Sequence, residues 1–136
     1  MVEKIIEGGC LCGDVRYRAS GIPYDITHCH CEICRKARGA PFVSWASFRT
    51  ARFSFTTGEP AHFASSTKAT RTFCRQCGTP LTFQLHGKLE EIDVTSGSMD
   101  APERVAPQDH TWTRSQLPWI ALADGLPRYE TIRVKN

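Results

Sequence analysis

A chain of 136 residues, 40% apolar and 23% charged, is long enough to bury one sizeable core and too ordinary in composition for wholesale disorder. No apolar run approaches the roughly 20 residues of a membrane-spanning helix, and residues 1–7 have no secretory apolar core and too many acids for a transit peptide. These features predict one domain over residues 1–136, in the cytoplasm, with no membrane partner.

In chain order, residues 5–7 read as a short strand closed by Gly8 and Gly9. Val15, Tyr17 and Ala19 alternate with Asp14, Arg16 and Arg18, the period of a half-buried strand. Residues 24–31 read as a further strand. Residues 32–38 suit one or two helical turns, stopped by Gly39 and Pro41. An aromatic and β-branched stretch over 42–48 follows, and then Phe53 and Phe55 alternate with polar neighbours up to Gly58 and Pro60. Short strands are predicted around His62 and Phe63, over 70–73, through Leu81, Phe83 and Leu85, and over 89–95. Residues 102–127 carry four prolines and little periodicity, which predicts a surface-wrapping tail, and 129–134 reads as a final strand. Many short strands with closely spaced turn signals predict a mostly β fold of short antiparallel strands, with one or two short helical turns.

All seven cysteines fall in three groups: Cys10-x-Cys12, Cys29-x-Cys31-x-x-Cys34, and Cys74-x-x-Cys77. An odd number forbids a complete set of internal disulfides, and in a reducing compartment such spacings read as metal ligands. The runs typical of iron–sulfur ligation are absent, which favours zinc. On a strand, residues i and i+2 share a face, so Cys10 with Cys12, and Cys29 with Cys31, would each aim two sulfurs the same way. Cys74-x-x-Cys77 suits a tight knuckle whose amides donate to thiolates. Gly13 and Gly78 follow the outer pairs, where such turns favour positive φ.

The favoured division puts Cys10, Cys12, Cys74 and Cys77 on one structural zinc that ties distant strands together. Cys29, Cys31 and Cys34 then hold a second zinc with one position open for chemistry. Two alternatives remain at this stage. In one, Cys31 and Cys34 pair with Cys74 and Cys77 as in a zinc ribbon; in the other, His28 or His30 closes the triplet. On an extended segment those histidines face away from Cys29 and Cys31. Seven thiolates and two zinc ions bring the formal charge of +3 close to zero, and basic residues are dispersed, which disfavours a nucleic-acid partner.

Gly9-Cys10-x-Cys12-Gly13, Cys29-His30-Cys31-x-x-Cys34-Arg35 and Phe73-Cys74-x-x-Cys77-Gly78 resemble the glutathione-dependent formaldehyde-activating enzyme and centromere protein V family. Gly97-Ser98-Met99-Asp100, His110-x-Trp112 and Pro118-Trp119 resemble its tail, so the likeness covers nearly the whole chain. It implies a zinc-stabilised β-tent. It also implies two zinc ions per chain: structural on Cys10, Cys12, Cys74 and Cys77, catalytic on Cys29, Cys31 and Cys34. The implied activity is that of a carbon–sulfur lyase acting on a small thiol adduct, as in condensation of glutathione with formaldehyde to S-hydroxymethylglutathione. The implied partner is a small thiol such as glutathione. The alternative is a non-catalytic zinc module that binds protein or nucleic acid. Arg35, Lys36 and Arg38 either form a solvated charged turn or partly offset the triplet's negative charge and attract substrate carboxylates. His62, His86 and His110 read as isolated surface or hydrogen-bonded residues, and the sequence names no general acid.

Overall fold

A computed structural model describes residues 4–134. Among them are ten strands and one α-helix. The strands are β1 (Ile5–Gly9), β2 (Arg16–Ser20), β3 (Tyr24–Cys29), β4 (Val43–Arg49), β5 (Phe53–Thr57), β6 (Ala61–Ser66), β7 (Ala69–Phe73), β8 (Pro80–Leu85), β9 (Glu91–Thr95) and β10 (Asp109–Thr111), and the helix is α1 (Glu32–Arg38). They form a three-stranded sheet, β1-β2-β5, and a seven-stranded sheet, β10-β3-β4-β9-β8-β7-β6. The fold is mostly β. Neighbouring strands are antiparallel except β10, which runs parallel to β3. No helix among the described residues is long and apolar enough to cross a membrane.

Side-chain parity divides the large sheet into two working faces. Ala46 and Phe48 of β4, with their cross-strand partners Val94 and Ile92, are buried in the main core. There they join Ile6, Tyr17 and Ala19 of the small sheet, with Phe53 and Phe55 packed alongside. The opposite parity of β4, Val43 and Trp45, joins Cys29 and Cys34 in a second buried cluster, flanked by Cys31, Phe83 and Trp112. One face of the large sheet thus builds the core, and the other carries the cysteine triplet.

The first strand runs through Gly8 and Gly9 instead of stopping at them. A Cβ on Gly8 would lie 2.4 Å from the Tyr17 hydroxyl and 2.5 Å from the Ser98 carbonyl oxygen, so glycine is required there by close packing. Gly8→Ala should therefore destabilise the protein by about 2–3 kcal/mol through overpacking. A thermal melt should show the loss while metal content stays unchanged. An unshifted melt would contradict the packing argument.

The tail departs from expectation in two ways. It does not only wrap the surface: Asp109, His110 and Thr111 form β10 and are all buried. The strand expected over 129–134 does not form; among the described residues the nearest ladder contact is an isolated bridge just before it, from Arg128 to His110. Single backbone bonds and a side chain anchor that stretch instead: Tyr129 N–H donates to the His110 carbonyl, and the Trp112 and Thr113 amides donate to the Thr131 and Tyr129 carbonyls. Arg133 pairs with both Asp109 and Asp25, at 3.0 Å to the latter.

Candidate metal centre

The sulfurs of Cys10, Cys12, Cys74 and Cys77 lie within 4.8 Å of one another. Cys10 follows β1 and Cys74 follows β7, so the group joins the end of the small sheet to the end of the large one. The Cys10–Cys12 and Cys12–Cys74 sulfur separations are 3.6 and 3.7 Å. A tetrahedral zinc ion with bonds of about 2.3 Å needs sulfur–sulfur edges of about 3.8 Å, so the donor set fits such an ion in both chemistry and spacing.

Local backbone geometry builds this group. The amides of Gln76 and Cys77 both donate to Cys74 Sγ at 3.4 Å, and Val15 N–H donates to Cys10 Sγ at 3.2 Å. Gly13 and Gly78 have φ of +85° and +80°. Nothing lies within 4 Å of a Cβ at either position, so backbone conformation, not space, demands glycine. Strand geometry does not align the first pair, however. Cys10 to Gly13 is a turn closed by the Gly13 amide on the Cys10 carbonyl at 3.2 Å, and that turn brings the two sulfurs together.

Cys29, Cys31 and Cys34 form a second group, also with sulfurs within 4.8 Å. Cys29 ends β3, and Cys31 is the N-cap of α1, where its sulfur accepts from the Cys34 amide at 3.3 Å. Cys31 and Cys34 do not join Cys74 and Cys77. Nor do the histidines turn toward the triplet: His28 Nδ1 meets Ser44 Oγ at 2.7 Å and His30 Nε2 meets His110 Nδ1 at 3.0 Å. The Cys31 thiol is drawn down to about 3, first by hydrogen bonds from Cys29 and Cys34, with Arg71 adding attraction. Cys29 is pushed up by its hydrogen bonds to Cys31 and Cys34. The Cys31 sulfur sits at the N-terminus of α1, where the helix dipole favours a thiolate.

The cationic neighbours differ from those expected. Lys36 is exposed and pairs with Glu32 at 3.6 Å. Arg38 lies over the Trp45 ring at 4.9 Å, and Arg71 lies 4.8 Å from the Phe83 ring centroid and 6.0 Å from that of Trp45. Arg71 is only 5% exposed. Its Nε and Nη1 have no hydrogen-bond partner among the described residues, nor do Nε of Arg35 and Nε and Nη2 of Arg38. Burial brings Arg38 down to about 10, with the like charge of Arg71 second. Buried Arg71 and half-buried Arg38 both lie against the Trp45 ring and are short of acceptors among the described residues, which makes a site for an anion. Sequence reading missed Arg71, whose sole signal is a charge at the same parity as Phe73 in β7.

Trp112 completes the wall of this cluster from a left-handed backbone, φ +56°, a costly conformation for a tryptophan. Asp93 lies on the same sheet face as Trp45 and Phe83, by its register with Ser47 and Phe83. Burial pushes its carboxyl up to about 6, while Ser47 Oγ donates to it at 2.6 Å. His62 and His86 are exposed, whereas His110 is 1% exposed.

The sequence pattern of the family described as glutathione-dependent formaldehyde-activating enzyme matches residues 5–115. An uncharacterized lyase of Schizosaccharomyces pombe is 37% identical over 78 residues, covering 57% of this chain and 56% of that protein. A Halomonas elongata protein, named provisionally as a glutathione-dependent formaldehyde-activating enzyme, is 50% identical over 36 residues, or 26% of this chain and 23% of that protein. The chain thus matches about half, or less, of the length of these two relatives. A crystal structure of a Rhodobacter sphaeroides protein superposes with a TM-score of 0.58 at 22% identity, covering 90% of this chain and 98% of that one. At that identity the likeness is one of fold.

Proposed function

The chain belongs to the glutathione-dependent formaldehyde-activating enzyme family, and from that premise we propose that it is a zinc-dependent carbon–sulfur lyase acting on a small thiol adduct, with glutathione and formaldehyde as the reference pair. The observation that carries the reading is the three-sulfur group at the start of α1 next to Arg71, a buried arginine two of whose nitrogens have no hydrogen-bond partner among the described residues. In this reading Cys10, Cys12, Cys74 and Cys77 hold a structural zinc, and Cys29, Cys31 and Cys34 hold a second one. Zinc bound there supplies a Lewis-acidic position that favours a thiol in its deprotonated form.

The chain's own residues do the rest. Arg71 and Arg38 accept a carboxylate of the thiol substrate and fix its orientation, which counts because positioning is a large part of rate enhancement. Trp45, Phe83 and Trp112 wall the triplet and keep water from competing for the aldehyde. The reaction balances without an oxidant or reductant. The sulfur forms a bond to the aldehyde carbon, the carbonyl π bond becomes an O–H, and the thiol proton ends on that oxygen. A protein- or nucleic-acid-binding module would present its arginines outward. Here Arg38 and Arg71 turn inward to Trp45, which supports the enzyme reading.

Exchange NMR of formaldehyde with glutathione tests this directly. Metal-loaded protein should accelerate adduct exchange at least 100-fold over buffer, and Cys31→Ser should abolish the acceleration while remaining folded. A folded, metal-loaded protein with no acceleration would remove the glutathione assignment.

A further inference from the structure

A third cluster has no task in this reaction. His28 on β3, His110 on β10 and Asp124 beyond it bring one ring nitrogen each and a carboxylate oxygen within 4.8 Å of one another. Parallel pairing sets His110 directly across from His28, with ring centroids 4.9 Å apart. Both rings lie on the sheet face opposite Cys29, because neighbouring strand residues point to opposite sides.

The partners of each ring define the inward-facing atoms. His28 Nδ1 is occupied by Ser44 Oγ at 2.7 Å, and His110 Nδ1 by His30 Nε2 at 3.0 Å. That leaves Nε2 of both rings, and His110 Nε2 already faces Asp124 Oδ2 at 2.7 Å. Asp124 Oδ1 is engaged separately, accepting from the Leu126 amide at 3.0 Å. A hydrogen-bonded histidine–aspartate pair explains His110 and Asp124. It does not explain why a second imidazole converges on the same carboxylate with its far nitrogen already braced.

We propose that His28, His110 and Asp124 bind a divalent transition-metal ion of the zinc, cobalt and nickel class, through Nε2 of each histidine and Asp124 Oδ2. Two imidazoles and one carboxylate are a borderline donor set that suits these ions. Ser44 and His30 supply what metal-binding histidines require on the other nitrogen, a partner that fixes tautomer and ring orientation. His110 then donates its Nδ1–H to His30 Nε2, which places the His30 proton on its buried Nδ1, an atom with no partner among the described residues. The Asp124 side chain is 40% exposed, so the ion reaches the site from solvent and keeps water in its remaining positions. Bound there, it clamps the segment around Asp124 onto the β3–β10 pair, on the reverse side of the strand that ends at Cys29. The site is independent of the reaction proposed above and stands or falls separately.

Cobalt titration of the full chain, with its cysteine groups first filled with zinc, tests the proposal. Wild-type protein should take up one Co2+ more than Asp124→Asn, with d–d absorption but no thiolate-to-cobalt charge transfer. The Nε2 resonances of His28 and His110 should shift together. Ser44→Ala, which removes only the brace on His28, should weaken binding about 10-fold, a graded loss that simple tethering of the tail would not give. Equal uptake by wild type and Asp124→Asn, or extra cobalt that appears only with charge-transfer bands, would overturn the proposal. If Asp124→Asn does not fold, His28→Gln serves as the same comparison.

Discussion

Cys74→Ser should leave no folded protein under conditions where Cys34→Ser keeps its fold and loses only one metal. Cys74 is 1% exposed and belongs to the main core, and its group ties the end of β1 to the end of β7. If those four sulfurs hold zinc, the ion holds the small sheet against the large one. Metal binding of the structural kind is worth about 10 kcal/mol or more, comparable with the whole 5–15 kcal/mol of a typical domain. Losing it is therefore global. Cys34 belongs to a group drawn from one local segment, the end of β3 and the first turn of α1. Its replacement disturbs the packing around Trp45 by about 1–2 kcal/mol and leaves the two sheets joined. Metal content by mass spectrometry and melting by circular dichroism separate the two variants. If Cys34→Ser unfolds as completely as Cys74→Ser, or releases both metals, the division of labour is wrong.

Local signals made much of this legible in the sequence, and non-local ones did not. The helix over Glu32–Arg38 was readable because its stop, Gly39 at φ +61°, is a local signal; its start, capped by the Cys31 sulfur, carries none of the usual capping residues. The cysteine grouping was readable because thiol spacing is itself local. β10 was not: three residues in a proline-rich tail carry no periodicity, and β3 is what makes them a strand. The meeting of His28, His30 and His110 follows from that same parallel pairing, so no spacing along the chain announces it. Arg71 was passed over for another reason. In an alternating strand a charge is assigned to the solvent face by default, but both faces of the large sheet carry buried side chains, and Arg71 points at the aromatic wall. The strand rule also failed at Cys10 and Cys12, where a glycine-closed turn aligns the sulfurs.

Arg71→Met should raise KM for a carboxylate-bearing thiol about 10- to 100-fold and leave the melting temperature level or higher. The two halves of this expectation have one cause. A buried guanidinium whose Nε and Nη1 have no partner among the described residues carries a desolvation cost that ring contacts and the nearby thiolates partly offset. Methionine fills a similar volume without the charge, and replacing a poorly satisfied buried ion by an apolar side chain is often neutral or stabilising. What is lost is a charge-assisted hydrogen bond to the substrate, worth about 1.5–3 kcal/mol, hence the expected change in KM. A thiol without carboxylates offers Arg71 nothing to hold, so wild type and Arg71→Met should process 2-mercaptoethanol and formaldehyde at similar rates. If Arg71→Met lowers the melting temperature and slows both thiols alike, the arginine props up the Trp45–Phe83 wall instead. If it loses metal from the triplet, the guanidinium is a counter-charge to the three sulfurs and not a hand for the substrate.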